Sequence, residues 1–234
     1  MSESIAIHIL PKPVTISTSN LLSLYKYVRL AALLTNPEAF GSTYARETAF
    51  SDDAWAERVN ERGRETLLAL FHGSETHTAT PSAPRENDKK ETAIGTLTVL
   101  FPIMLAGHPQ DPAYPPHIAE EVRACEVDVY MLVGMWVHPA HRGRGVGKAL
   151  VQRAMEVVEQ AKLEGNEQCE EASGINESCD TVQEKDKKQK KKVLMLLVHD
   201  IQYDAIRLYR NTGFVEQGSV LHGGKAATWM TVTI

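Results

Sequence analysis

Residues 129–161 read VYMLVGMWVHPAHRGRGVGKALVQRAMEVVEQA. The run from Val129 to Val137 is almost wholly apolar and reads as a strand. His138 and Pro139 end it, and Arg142-Gly143-Arg144-Gly145-Val146-Gly147-Lys148 follows as a glycine-rich turn. Beyond the turn, Leu150, Ala154, Val157, Val158 and Ala161 fall at the spacing of one buried helical face. A strand, a glycine-rich turn and a helix in that order make an anion site. Glycines let the backbone curl until several N–H groups aim at one point, and the helix N-terminus adds the positive end of its dipole. The ligand this predicts is a phosphate or pyrophosphate.

Spacing separates the loops that could serve. A P-loop needs GxxxxGK[ST], but Gly143 to Gly147 is one residue too short, and Ala149 stands where a hydroxyl should hold magnesium. A dinucleotide fingerprint needs GxGxxG, and the glycines here alternate instead. What fits is R-x-x-G-x-G, Arg142 to Gly147, preceded by Val137-His138-Pro139. It resembles the acetyl-CoA pyrophosphate loop of the GNAT family of N-acetyltransferases. A second stretch, Ala205-Ile206-Arg207-Leu208-Tyr209-Arg210-Asn211-Thr212-Gly213-Phe214, is similar to the A-x-x-L-Y-x-x-x-G-F that commonly follows the family's fifth strand. Gln202 departs from the Asn usual in the family three residues before that Ala.

The rest of the chain suits one mixed sheet with helices on both faces, an α/β single domain over residues 5–234. Strands are expected at 4–10, 66–71, 93–100, 129–137, 193–198, 214–220 and 226–234, and helices at 21–34, around 52–61 and at 203–210. The pair 66–71 and 93–100 should form a hairpin. Ser51 is the expected N-cap of the second helix. Residues 193–198, VLMLLV, read as a strand buried on both faces. Two biased stretches, at about 72–92 and 164–192, read as low-complexity insertions. Residues 101–123 carry many prolines and no period, and read as a long loop beside the site. Phe40 and Trp55 each suit either core packing or a pocket wall. The stretch 30–47 also resembles the family's opening helices, whose connecting loop lines the acceptor pocket.

Composition narrows the function. The chain has 234 residues, 43% hydrophobic and 24% charged, with net charge −5. That balance does not point to nucleic acid, and no apolar run approaches the roughly 20 residues of a membrane helix. Met1-Ser2-Glu3-Ser4 does not read as a signal peptide. Cys125, Cys169 and Cys179 lack metal-ligand spacing, so no metal is expected, and their odd number does not suggest a disulfide framework. The expected location is cytoplasmic. The lysine run at 185–192 could carry a nuclear signal, although the acidic residues beside it favour a solvated linker.

The resemblance implies an acetyl-CoA-dependent transferase acting on a small-molecule or peptide amine, with no cofactor besides that co-substrate. It implies that Arg142, Gly143, Arg144, Gly145, Val146, Gly147 and Lys148 hold the pyrophosphate. Met135, Trp136 and Val137 would flank the pantetheine arm and thioester, and Tyr209 would be the general acid. Glu47, Glu126, Asp128, His138 and His199 remain open as bases. A non-catalytic acyl-CoA sensor is the competing reading, although a proton donor at Tyr209 would serve no purpose in it.

Overall fold

The computed structural model describes residues 4–15, 20–72, 91–106, 113–161 and 190–234. Seven strands form one sheet: β1 Ser4–Ile9, β2 Arg64–His72, β3 Glu91–Leu100, β4 Val127–Val137, β5 Lys191–His199, β6 Val215–His222 and β7 Lys225–Thr233. Their spatial order is β1-β2-β3-β4-β5-β7-β6. Only β4 and β5 are parallel. Their crossover is the helix α6, Val146–Gln160, as a parallel pair requires. The hairpin expected from 66–71 and 93–100 is present, with Leu67 opposite Leu97. The continuous apolar run in β5 is buried on both faces over Val193–Val198 apart from Leu197.

Helices cover both faces. On one side lies α6, whose stripe of Val146, Leu150, Val151, Ala154 and Val158 packs on Leu67, Ala69, Ile94, Leu132 and Leu196. The helix α7, Tyr203–Asn211, adds Tyr209 to this layer. On the other side α1, Asn20–Thr35, and α3, Asp52–Asn60, pack Tyr25, Val28, Ala32, Trp55 and Val59 on Leu68, Leu70 and Trp136. Ser51 caps α3, its hydroxyl oxygen accepting from the Ala54 N–H at 3.1 Å. Trp55 is fully buried, edge-on to Tyr25 and Phe50, so it is a core residue.

Three short helices were not anticipated. The first, α2 at Tyr44–Thr48, is capped by Thr43. The other two, α4 at Pro102–Leu105 and α5 at Pro116–Arg123, lie in the stretch expected to be an irregular loop. Proline explains both. It opens each helix, where its missing N–H costs nothing, and so few turns show no period. Ile118 of α5 joins Val127, Val129, Val193, Met195 and Trp229 in a third cluster.

The two insertions also begin and end differently from the expectation. His72 still belongs to β2 and Glu91 already to β3, while β5 opens at Lys191. Residues 73–90 and 162–189, with Cys169 and Cys179, lie outside the described residues. The end of the lysine run is structural. Lys192 is buried, and its Nζ donates to the carbonyls of Val158, Glu159 and Ala161 at 2.8–2.9 Å. A strand residue thereby caps the carbonyl end of α6. Among the described residues, no helix is long and apolar enough to cross a membrane.

Candidate active site

The sheet opens at its centre. β4 and β5 pair only from Val127 opposite Lys191 to Met131 opposite Met195. Beyond that point β5 stays with β7 as far as His199, and β4 stays with β3 as far as Val137. The cause is local. Thr96 faces Trp136 while Thr98 faces Val133, so β4 carries an extra residue in a bulge. Gly134 there has φ +66°, a conformation an L side chain would strain. The bulge also reverses the alternation. Tyr130 and Leu132 face α6 before it, and Met135 and Val137 face α6 after it.

The loop predicted to take an anion sits at the mouth of this opening. Gly145 is the N-cap of α6 with φ +81°. The first bond of the helix runs from the Ala149 N–H to the Gly145 carbonyl, so the N–H groups of Val146, Gly147 and Lys148 precede it. A Cβ placed on Gly143 or Gly145 would meet nothing within 4 Å, whereas one on Gly147 would lie 3.0 Å from both Met135 Cε and Leu208 Cδ2. Open space over the first two glycines and a helix N-terminus behind them fit a phosphate approaching the backbone. Val146 itself is buried in the core, which leaves only its backbone for a ligand.

Arg142 does something the sequence did not announce. Its Nε donates to the Val137 carbonyl at 2.9 Å, and its Nη2 donates to Asn36 Oδ1 at 2.9 Å. The indole N–H of Trp136 donates to the same Asn36 oxygen at 3.0 Å. The side chain of Trp136 therefore lies on the face of α1 and α3. Asn36 ties the loop after α1 to the glycine-rich turn. Its only advance signal was its place before Pro37.

Tyr209 reaches the opening from α7. Its hydroxyl donates to Met135 Sδ at 3.1 Å, and its ring packs on Phe214. Burial pushes its phenol well above the ordinary value near 10. The side chain of Met135 thus bridges Tyr209 and the start of α6.

On the opposite face lies a pocket of about 200 Å³, lined by Tyr25, Arg29, Phe40, Arg58, Arg64, Thr96, Thr98, Val133 and Gly134 among others. Phe40 forms a wall and lies 4.9 Å under the Arg29 guanidinium. Behind it Glu47 is fully buried and accepts two bonds from Arg29, at 2.7 and 2.9 Å, with Arg58 Nη1 at 3.3 Å. Burial alone would raise the Glu47 carboxyl. The hydrogen bond and charge of Arg29, the charge of Arg58 and a bond from Ser42 outweigh it and hold the group below its ordinary value. A carboxylate bound in this way is a poor base.

The other candidate bases scatter. Asp128 is ion-paired to Lys190 at 3.6 Å in the closed part of the sheet. It lies six residues, or about 20 Å along a strand, from Gly134. Glu126 precedes β4 at the same end, and its carbonyl accepts from the Lys191 N–H. His138 follows β4 and accepts from the Ala140 N–H at Nδ1. His199 is the last residue of β5. Alternation puts it on the face of Met195 and Leu197, the side on which Val133 lines the pocket. Its Nδ1 is buried with no hydrogen-bond partner among the described residues, and its ring lies 5.8 Å from that of His222.

Compared by sequence, the chain matches none of the curated proteins. Residues 117–216, which hold both motifs, match the family model described as an acetyltransferase (GNAT) domain. Solved structures share the fold across nearly the whole chain. NAA60 of Arabidopsis thaliana, in complex with a bisubstrate analogue, superposes with a TM-score of 0.52 at 13% identity, covering 99% of each chain. The putative acetyltransferase yncA of Salmonella typhimurium, with its cofactor acetyl-CoA, gives 0.51 at 15% identity, covering 98% of this chain and 93% of its own. The ribosomal-protein-alanine N-acetyltransferase of Brucella melitensis gives 0.51 at 15% identity over 98% and 99%. Over residues 117–216, and in the fold of its sheet, this chain is therefore similar to the GNAT acetyltransferases.

Proposed function

We propose that this protein transfers an acetyl group from acetyl-CoA to the primary amine of a small molecule or peptide. The observation that carries the reading is the convergence on Met135. Its sulfur accepts from the Tyr209 hydroxyl, and its methyl lies beside Gly147 in the first turn of α6. A proton donor, an anion loop and the open edge of β4 therefore meet at one point.

Bound there, acetyl-CoA would supply an acyl group activated as a thioester. The backbone of Gly143, Arg144 and Gly145 and the N–H groups of Val146, Gly147 and Lys148 would hold its pyrophosphate. Arg142 braces the loop rather than reaching outward, because its guanidinium is already engaged with Val137 and Asn36. The bulge at Gly134 and Met135 leaves backbone groups of β4 outside the ladder, available to a thioester carbonyl. The carbonyl of Val137 is less available, since it accepts from Arg142. Tyr209, kept protonated by burial, is suited to donate to the departing thiolate. For the base, the buried Nδ1 of His199 and its position on the pocket side favour that residue.

The test combines binding and turnover. Acetyl-CoA should raise the melting temperature by mass action, and an amine library should reveal acetyl-CoA-dependent release of CoA. Gly145→Asp should abolish the melting shift, since it strains a left-handed position and sets a carboxylate against phosphate. A full shift in a folded Gly145→Asp variant would refute the site.

A further inference from the structure

Resting on that reading, we infer that the acceptor is a small primary amine that also carries an anionic oxygen group, bound by Arg58 and Arg64. The pocket wall contains three arginines and no acidic side chain. Its volume of about 200 Å³ is below the roughly 300–1,000 Å³ of sites for drug-sized ligands, which suits a compact acceptor.

Charge inside the pocket is unbalanced. Arg29 and Arg58 share one carboxylate, that of Glu47, and Arg29 takes both of its oxygens. Arg58 receives a single contact at 3.3 Å, and its Nε is buried with no hydrogen-bond partner among the described residues. A guanidinium offers five donors in a planar fork, so Arg58 holds unspent capacity for an oxyanion. Arg64 pairs with Glu61 at 3.2 Å, but Glu61 is half exposed and is not part of the pocket wall. Thr96 and Thr98 are neutral, and their hydroxyls already bond to the Leu67 carbonyl and to Thr66.

The sheet orders these groups. Arg64 begins β2, the two threonines lie on β3, and Val133 and Gly134 lie on β4. Crossing two strand spacings covers about 10 Å. Arg64 marks one end of the pocket and the other is the opening where the thioester would lie, with Arg29 Nη1 3.6 Å from the place of a Gly134 Cβ. An amine with an anionic group a few bonds away would meet both ends. A purely cationic diamine would set an ammonium among guanidinium groups, which like-charge repulsion disfavours.

The experiment compares matched acceptors. Glycine, β-alanine, 4-aminobutyrate and 2-aminoethylphosphonate are assayed for CoA release beside the amides of the three amino acids and 1,5-diaminopentane. At least one anionic acceptor should exceed its amide tenfold or more in kcat/KM. The phosphonate distinguishes phosphate from carboxylate recognition. Arg64→Gln and Arg58→Gln should bring the ratio close to one by raising KM for the acid, while Arg58→Lys should restore part of it. Because Arg58→Gln could unfold the protein by exposing Glu47, Arg64→Gln carries the test alone if needed. A second arm needs no turnover: glutarate, but not glutaramide, should raise the melting temperature, and Arg64→Gln should remove the effect. Preference for the amides or the diamine, or an equal response to glutarate and glutaramide, would overturn the inference. A glutarate effect without any acetyl-CoA effect would instead sink the transferase reading and leave the anion site standing.

Discussion

At the scale of the residue, the proposed chemistry rests on Tyr209, and the arginines of the pocket rest on Glu47. Replacing Tyr209 by Phe keeps the ring against Phe214 and removes only the hydroxyl that donates to Met135. Turnover should fall by roughly 10²–10⁴-fold, the usual worth of a positioned proton donor, with the acetyl-CoA melting shift nearly unchanged. Since burial raises the phenol, the wild-type rate should show no loss from Tyr209 ionisation until the pH exceeds about 10. A pH–rate profile in both proteins checks this. Glu47→Gln should leave Arg29 and Arg58 facing a neutral amide and cost about 3–5 kcal/mol in urea unfolding. The pH dependence has a definite sign. The folded carboxyl titrates below its ordinary value of 4.5, so its stabilisation is complete above that pH. It is lost as the pH falls through the lower folded value. Glu47→Gln should flatten this acid loss.

At the scale of the element, α6 carries a load at each end. Its N-terminus faces the proposed phosphate site, and its C-terminus ends on the ammonium of Lys192. Lys192→Met keeps much of the buried stem but leaves three carbonyls without that donor. It should lower stability by about 1.5–3 kcal/mol, the worth of a hydrogen bond to a charged group. Thermal unfolding measures the loss, and an unchanged acetyl-CoA melting shift would show that the damage stays at the far end of the helix. The bulge in β4 is the other decisive element. One extra residue at Gly134 bends the strand away from β5 and reverses which side chains face α6.

At the scale of the whole molecule, a single sheet separates the two faces of the proposed site. The anion loop and Tyr209 belong to the face of α6, and the arginine-lined pocket belongs to that of α1 and α3. In the proposed reaction the two would meet where β4 and β5 part beyond Met131 and Met195. Removing residues 165–186, within the stretch read as an insertion, should leave melting temperature and turnover nearly intact. Loop-closure entropy changes slowly with length, and the cut spares Lys190, Lys191 and Lys192, which bind Asp128, Glu121 and the end of α6. Activity and the distribution between cytoplasm and nucleus, followed in the same variant, check the linker reading. A large fall in stability would contradict it.

Much of this was legible in local pattern. The strand, turn and helix of 129–161, the hairpin of β2 and β3 and the cap at Ser51 follow from periodicity, glycine spacing and side-chain chemistry within a few residues of one another. The same holds for the motif around Tyr209. Proline-led helices α4 and α5 escaped because one or two turns show no period. Other features depend on residues far apart in the chain. Asn36 meets Trp136 and Arg142 across about a hundred positions, Arg29 meets Glu47 across two helices, and Lys192 meets the end of α6 across the 162–189 stretch. The sequence by itself determined the seven strands, the longer helices α1, α3, α6 and α7, and which loop has the spacing to suit an anion. Tertiary structure alone decided that Arg142 braces that loop, that Glu47 is a buried counterion, and that three arginines share one pocket. Those outcomes depend on how the sheet aligns distant strands, and no local spacing encodes that alignment.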